Sequence, residues 1–185
     1  MLTLIIPPSE LFDESTNKFI EVKGTTLQLE HSLVSISKWE AKYHKRFLDD
    51  TYQKTPEELL YYIKCMTLTQ NVDPLIYSSL TEKSLDAIQK YMTDPMTGTT
   101  FNEKNIKKVS KRGPRQDEKM SSEMIYYLMI ANQIPFECQK WHLNRLLVLI
   151  RICGIKNQDP TKMSKSDLIS KYRSVNAARR AAHKH

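Results

Sequence analysis

The chain has 185 residues, 28 Lys/Arg against 21 Asp/Glu for a formal net charge of +7, and only 4 glycines. That length can bury a core without disulfides or metals, and so few glycines argue against phosphate-cradling loops and a turn-dense all-β sandwich. The charge is uneven: residues 1–101 hold 10 Lys/Arg and 14 Asp/Glu, net −4, while residues 102–185 hold 18 and 7, net +11. Such an asymmetry suits an acidic partner for the second half, or head-to-tail self-association.

The first thirty residues read as strands. Leu2-Thr3-Leu4-Ile5-Ile6 stops at Pro7-Pro8, Phe19-Ile20-Glu21-Val22 stops before Gly24, and Thr26-Leu27-Gln28-Leu29 alternates polar with apolar. Asp13 to Asn17 supplies the turn between the first two runs, giving a small antiparallel sheet. The N-terminus has no basic leader, and no apolar run is long enough to span a bilayer, so a protein of the cytoplasm is expected.

From Ser32 the period changes. Leu33, Ile36, Trp39, Tyr43 and Phe47 recur at three- and four-residue steps, which predicts an amphipathic helix capped by Ser32. Thr55-Pro56-Glu57-Glu58 combines an N-cap, a first-turn proline and a capping-box glutamate, opening a helix to about Met66 with Leu59, Tyr62, Ile63 and Met66 inward. Asp73-Pro74 starts a short helix through Leu80. Thr81 caps another with Leu85, Ile88 and Met92 as its apolar edge, and Asp94-Pro95 stops it.

Residues 94–120 gather Lys104, Lys107, Lys108, Lys111, Arg112 and Arg115 around Gly113-Pro114 with few apolar residues, and read as an exposed basic loop or linker. Three segments follow: 1–93 with sheet and helices, 94–120 as loop, and 121–185 as C-terminal helices packed with the first segment in one domain. Ser121-Ser122-Glu123 caps a helix carrying Met124, Tyr127, Leu128 and Ile130. Pro135 to Gly154 then forms the most apolar helix of the chain, with Leu143, Leu146, Leu147, Leu149, Ile150 and Cys153 on one broad arc and Gly154 as its stop. Its arc belongs in a core or at a protein contact. Ser164-Lys165-Ser166-Asp167 opens a last, basic helix.

The chemistry of the residues excludes more than it assigns. Cys65, Cys138 and Cys153 are too far apart for a zinc ribbon or a redox pair, and read as small buried hydrophobes. None of His31, His44, His142, His183 and His185 joins another in a ligand spacing on one helix face. His142 falls beside the apolar arc, where a core histidine bonded to a backbone carbonyl is the default. No nucleophile-elbow, Walker or dinucleotide motif occurs, so no catalytic residue, metal or cofactor is expected and the protein is read as non-enzymatic. The basic loop and Arg173, Arg179 and Arg180 suit phosphate contacts, but without interleaved aromatics for base stacking.

Several stretches carry a family likeness: Glu30 to Glu40 (EHSLVSISKWE), Cys65 to Val72, Met96 to Phe101, Lys140 to Leu147 (KWHLNRLL), Lys162 to Lys165, and Asn176 with Arg179-Arg180. In this order, over nearly the whole chain, they resemble the tail assembly chaperones of long-tailed bacteriophages. The resemblance implies a host bacterial cytoplasmic protein that binds the long helical tape-measure protein during tail morphogenesis, without cofactor or membrane, and with self-association open. A structural protein of the tail or neck is the alternative reading, and a nucleic-acid-binding accessory protein is another. Trp39, Lys140, Trp141, Asn144, Arg145 and Arg151 are the candidate partner-binding residues, chosen for exposed or rim positions on the two signature helices. The expected fold is α+β and mainly α-helical, a small N-terminal antiparallel sheet followed by six or seven helices.

Overall fold

In the computed structural model four strands within the first 29 residues pair as an antiparallel hairpin ladder broken in the middle. The structure describes residues 1–13, 17–101 and 120–156, with helical positions 169, 172, 173, 175 and 176 further on. Strand β1 (Leu2–Ile6) pairs antiparallel with β4 (Thr25–Leu29), and β2 (Ser9–Asp13) with β3 (Lys18–Val22). The register does not slip between the two pairs. Ile6 faces Thr25 and Ser9 faces Val22, which leaves Pro7-Pro8 opposite Lys23-Gly24. Neither proline has an N–H to donate, so the ladder lapses there.

Gly24 is needed at this break because Pro8 comes so close. A Cβ on Gly24 would lie 2.8 Å from the Pro8 Cδ and 3.0 Å from the Ile6 carbonyl oxygen. The strand Ser9–Asp13 is absent from the sequence expectation, because Ser-Glu-Leu-Phe-Asp beside two prolines resembles a polar turn. The inner face of the β1–β4 pair supplies Ile6, Leu27 and Leu29 to the core. The segment after Met66 runs along the outer edge of β4: Leu68 N–H donates to the Gln28 carbonyl (2.8 Å) and Glu30 N–H to the Met66 carbonyl (2.9 Å).

The helices begin largely where side chains cap them. Helix α1 (Leu33–Tyr43) starts at Ser32, whose hydroxyl accepts the Ser35 N–H, and ends at His44 in the left-handed region. Phe47, expected inside this helix, lies in the loop beyond it and is buried there. Helix α2 (Pro56–Met66) opens on the complete Thr55/Glu58 capping box. A single turn, α3 (Leu75–Ser78), precedes α4 (Glu82–Thr93), capped by Thr81 and ended at Asp94. Helix α5 (Ser122–Ala131) is capped by Ser121.

The longest apolar stretch departs from expectation. Residues Phe136–Lys140 form a 3-10 helix, Trp141 is extended, and only from Leu143 does α6 (Leu143–Lys156) begin. Gly154 is not its stop; the helix runs through it. The cause of the break is distant in sequence: Ser32 and His142 form an isolated antiparallel bridge, and Leu143 N–H donates to the His31 carbonyl at 2.7 Å. The fold is thus mixed and mainly helical, with six α-helices and the N-terminal antiparallel strands among the described residues.

The chain divides into two compact units, Met1–Arg151 and Ile152–His185. In the first unit Trp39, Leu33, Ile36, Tyr62, Met66, Ile125, Met129, Leu143 and Leu146 are fully buried around α1. In the second, Ile169, Tyr172 and Val175 are helical and exposed. The basic residues 102–119 and the start of the last expected helix lie outside the described residues.

Candidate binding site

The sequence nominates six contact residues, and the structure separates them. Trp39 is not on a surface at all. Its indole Nε1–H donates to the Glu58 carbonyl oxygen (2.9 Å), and its ring packs against Tyr43 and Phe47. This corrects the rim position expected for it: α1 is covered on the Trp39 side by α2, and the periodicity does not reveal that cover. Asn144 is half-buried, and its amide donates to the carbonyls of Met92 (3.1 Å) and Asp94 (2.6 Å), closing the C-terminal end of α4. Lys140, Arg145 and Arg151 are exposed and Trp141 is half-buried. Arg145 lies over the Trp141 ring at 4.5 Å, and Arg151 over Phe101 at 4.1 Å. Only Trp141 and Arg145 are brought together.

The polar groups of the core are occupied with holding helices in place. Glu40 is buried, and its two oxygens accept the N–H groups of Phe47 and Ser122, each at 2.8 Å, so one carboxylate ties the turn after α1 to the first residue of α5. Glu58 accepts from Lys45 Nζ (2.9 Å), from the Tyr52 hydroxyl (2.7 Å) and from the Thr55 N–H (2.9 Å). The Tyr52 and Lys45 bonds pull its pKa down to about 2.

His31 and His142 meet edge to face, with ring centroids 5.2 Å apart. His142 Nδ1 accepts the Asn144 N–H (3.3 Å), which leaves the proton on Nε2 to donate to the Tyr91 carbonyl (3.0 Å). This is the carbonyl-bonded core histidine that the sequence predicts. His31 Nδ1 shares a 2.6 Å hydrogen bond with the Tyr62 hydroxyl. Burial, and secondarily His142, press its pKa down to about 4, so the imidazole stays neutral near pH 7. These rings join the hairpin end, α2, α4 and α6; they face one another and face no nucleophile.

The surface best built to receive something lies between α2 and α4. There an open cavity of about 470 Å³ is lined by Leu59, Leu60, Ile63, Tyr77, Leu85, Ile88 and Met92, with Lys54 and Asp86 as its charged members. A second cavity of about 620 Å³ shares Lys54, Leu59, Gln89 and Met92 with it and continues to Leu143 and Leu147 on α6. Together they make one groove, mainly apolar between α2 and α4 and mixed toward α6, where Asp50, Gln53, Thr93 and the nominated Asn144 also line it. Leu59, expected to face inward, and Leu85, expected on the apolar edge of its helix, are 42% and 40% exposed on its walls. The helical period identifies them as apolar but not as uncovered: Tyr62 and Met66 take the core side of α2 and Tyr91 that of α4, while Ile63 and Ile88 are buried and still line the groove. The Lys54 ammonium stands 4.6 Å from the Phe47 ring centroid, and partial burial lowers its pKa.

Among the described residues no three His, Cys, Asp or Glu side chains gather into a metal site, and no helix is long and apolar enough to cross a membrane. Compared with models of known families, with curated proteins and with solved structures, the chain matches none of them.

Proposed function

We propose that this chain is a non-enzymatic binding protein for a helical polypeptide, a tail assembly chaperone that holds a phage tape-measure protein in the host cytoplasm before tail polymerisation. The observation that carries the reading is the apolar groove between α2 and α4, continuous toward α6 and walled by Leu59 and Leu85. An amphipathic helix seats in such a groove by side chains spaced three, four and seven residues apart, each entering a pocket. A long helical client offers that pattern repeatedly, so one groove can hold any of several segments. Lys54 and Asp86 add a cation and an anion that favour a register rather than supply most of the affinity.

Co-expression with the tape-measure protein tests the reading. Wild type should purify as a complex with it, and Leu59→Asp with Leu85→Asp should weaken that complex by about tenfold or more while leaving the circular dichroism unchanged. Absence of any complex, with the chain found stoichiometrically in purified virions, would overturn it in favour of a structural tail or neck protein.

A further inference from the structure

The β2–β3 half of the hairpin carries a face that the core does not use. Side chains alternate along a strand, so Glu10 and Phe12 share a face with Glu21 and Phe19 across the ladder. The phenylalanines are cross-strand partners with ring centroids 5.2 Å apart, and they are 51% and 70% exposed. Glu10 and Glu21 also stand directly opposite each other. Neither has an ion-pair partner among the described residues, and like charges facing across a ladder are unfavourable. Glu10 and Glu21 line an open cleft of about 440 Å³ together with Lys23, which is at no ion-pair distance from either carboxylate among the described residues, and the buried Ser9 hydroxyl there lacks a hydrogen-bond partner. An exposed aromatic pair next to two uncompensated carboxylates calls for a ligand that is both apolar and cationic.

The chain itself contains such a ligand. Residues 152–185 hold 8 Lys/Arg and 2 Asp/Glu, net +6, against 1 and 4, net −3, for residues 9–22. Within them Ile169, Tyr172 and Val175 are exposed at three-residue spacing on helical backbone, with the exposed Arg173 adjoining. That is an apolar stripe edged by positive charge. We propose that this chain self-associates head to tail, the Phe12/Phe19 face of one copy receiving the Ile169, Tyr172 and Val175 side chains of a second copy. The aromatic rings cover the apolar stripe, and Glu10 and Glu21 meet basic side chains at its edge.

The full-length chain, without any client, provides the test, so its outcome is independent of the groove. Sedimentation at rising concentration should give a mass above that of the monomer at low salt. It should fall back to the monomer near roughly 1 M salt, where screening acts over about 3 Å. Phe12→Ser with Phe19→Ser, and separately Glu10→Lys with Glu21→Lys, should each weaken association by about tenfold or more. Lys171→Glu with Arg173→Glu should do the same, and mixing it with the Glu10→Lys/Glu21→Lys chain should restore a mixed assembly. Far-UV circular dichroism checks each variant, and if one pair unfolds the other two decide. A monomer at every concentration, or self-association indifferent to the variants that fold, would overturn the proposal.

Discussion

Helix α2 has two sides with opposite careers. On one, Tyr62, Ile63 and Met66 are buried against α1 and the hairpin, and the neighbouring polar groups of Trp39, His31 and Glu58 have partners at hydrogen-bond distance. On the other, Leu59 stands in an open groove with no comparable polar fixing. The core side specifies one arrangement, because a buried polar group that loses its partner is expensive. The groove side tolerates many arrangements, since apolar contact has no direction. Position in the fold, not residue type, divides sealed from open leucines here.

That contrast can be broken by substitution. Trp39→Ala should have the largest effect, a loss of about 4 kcal/mol in chemical denaturation, from an emptied site and the lost indole hydrogen bond to the Glu58 carbonyl. Glu40→Ala should lose about 3 kcal/mol, because the N–H groups of Phe47 and Ser122 are both left without an acceptor. If it loses less than about 1 kcal/mol, the carboxylate is not the clasp described. Gly24→Ala should cost about 1–3 kcal/mol, since the Pro8 ring facing the new methyl cannot rotate away. Leu59→Ser should change stability least, by under roughly 1 kcal/mol, in line with its exposure.

Acidity sharpens the same comparison. His31 is neutral when folded, with its pKa down at about 4 from 6.5, so its contribution is complete above the unfolded value. As pH falls from 6.5 toward 4 the unfolded chain takes up a proton that the folded chain refuses, and about 3 kcal/mol is lost. Urea midpoints measured across that window should fall with pH, and His31→Gln should remove most of the slope. Glu58 is depressed to about 2, so its contribution is present above about 4.5 and is lost only below that, as pH drops toward 2. The two windows barely overlap, which lets the two groups be assigned separately.

The N-cap signals are legible in the sequence, while the local stop signal at Gly154 fails because α6 runs through it. Thr55 with Glu58, and Ser32, Thr81 and Ser121 as caps, each depend on residues three positions away, and all four helix starts are where the sequence places them. The other misses are of another kind. The break at Trp141-His142 depends on a bridge to Ser32, and no periodicity within 135–154 contains that information. Trp39 and Leu59 are both apolar positions on amphipathic helices, yet one is sealed and the other open, because depth is set by which neighbour arrives on that side. The sequence therefore shows the candidate groove only as Leu59 on an inward face and Leu85 on an apolar edge.

The Glu40 clasp also has a consequence in time. Its two donors come from residues 7 and 82 positions further along the chain. At about 5–20 residues per second, Ser122 is synthesised roughly 4–16 s after Glu40. For that interval the Glu40 carboxylate lacks its Ser122 donor, and the joint can be completed only once α5 has been made.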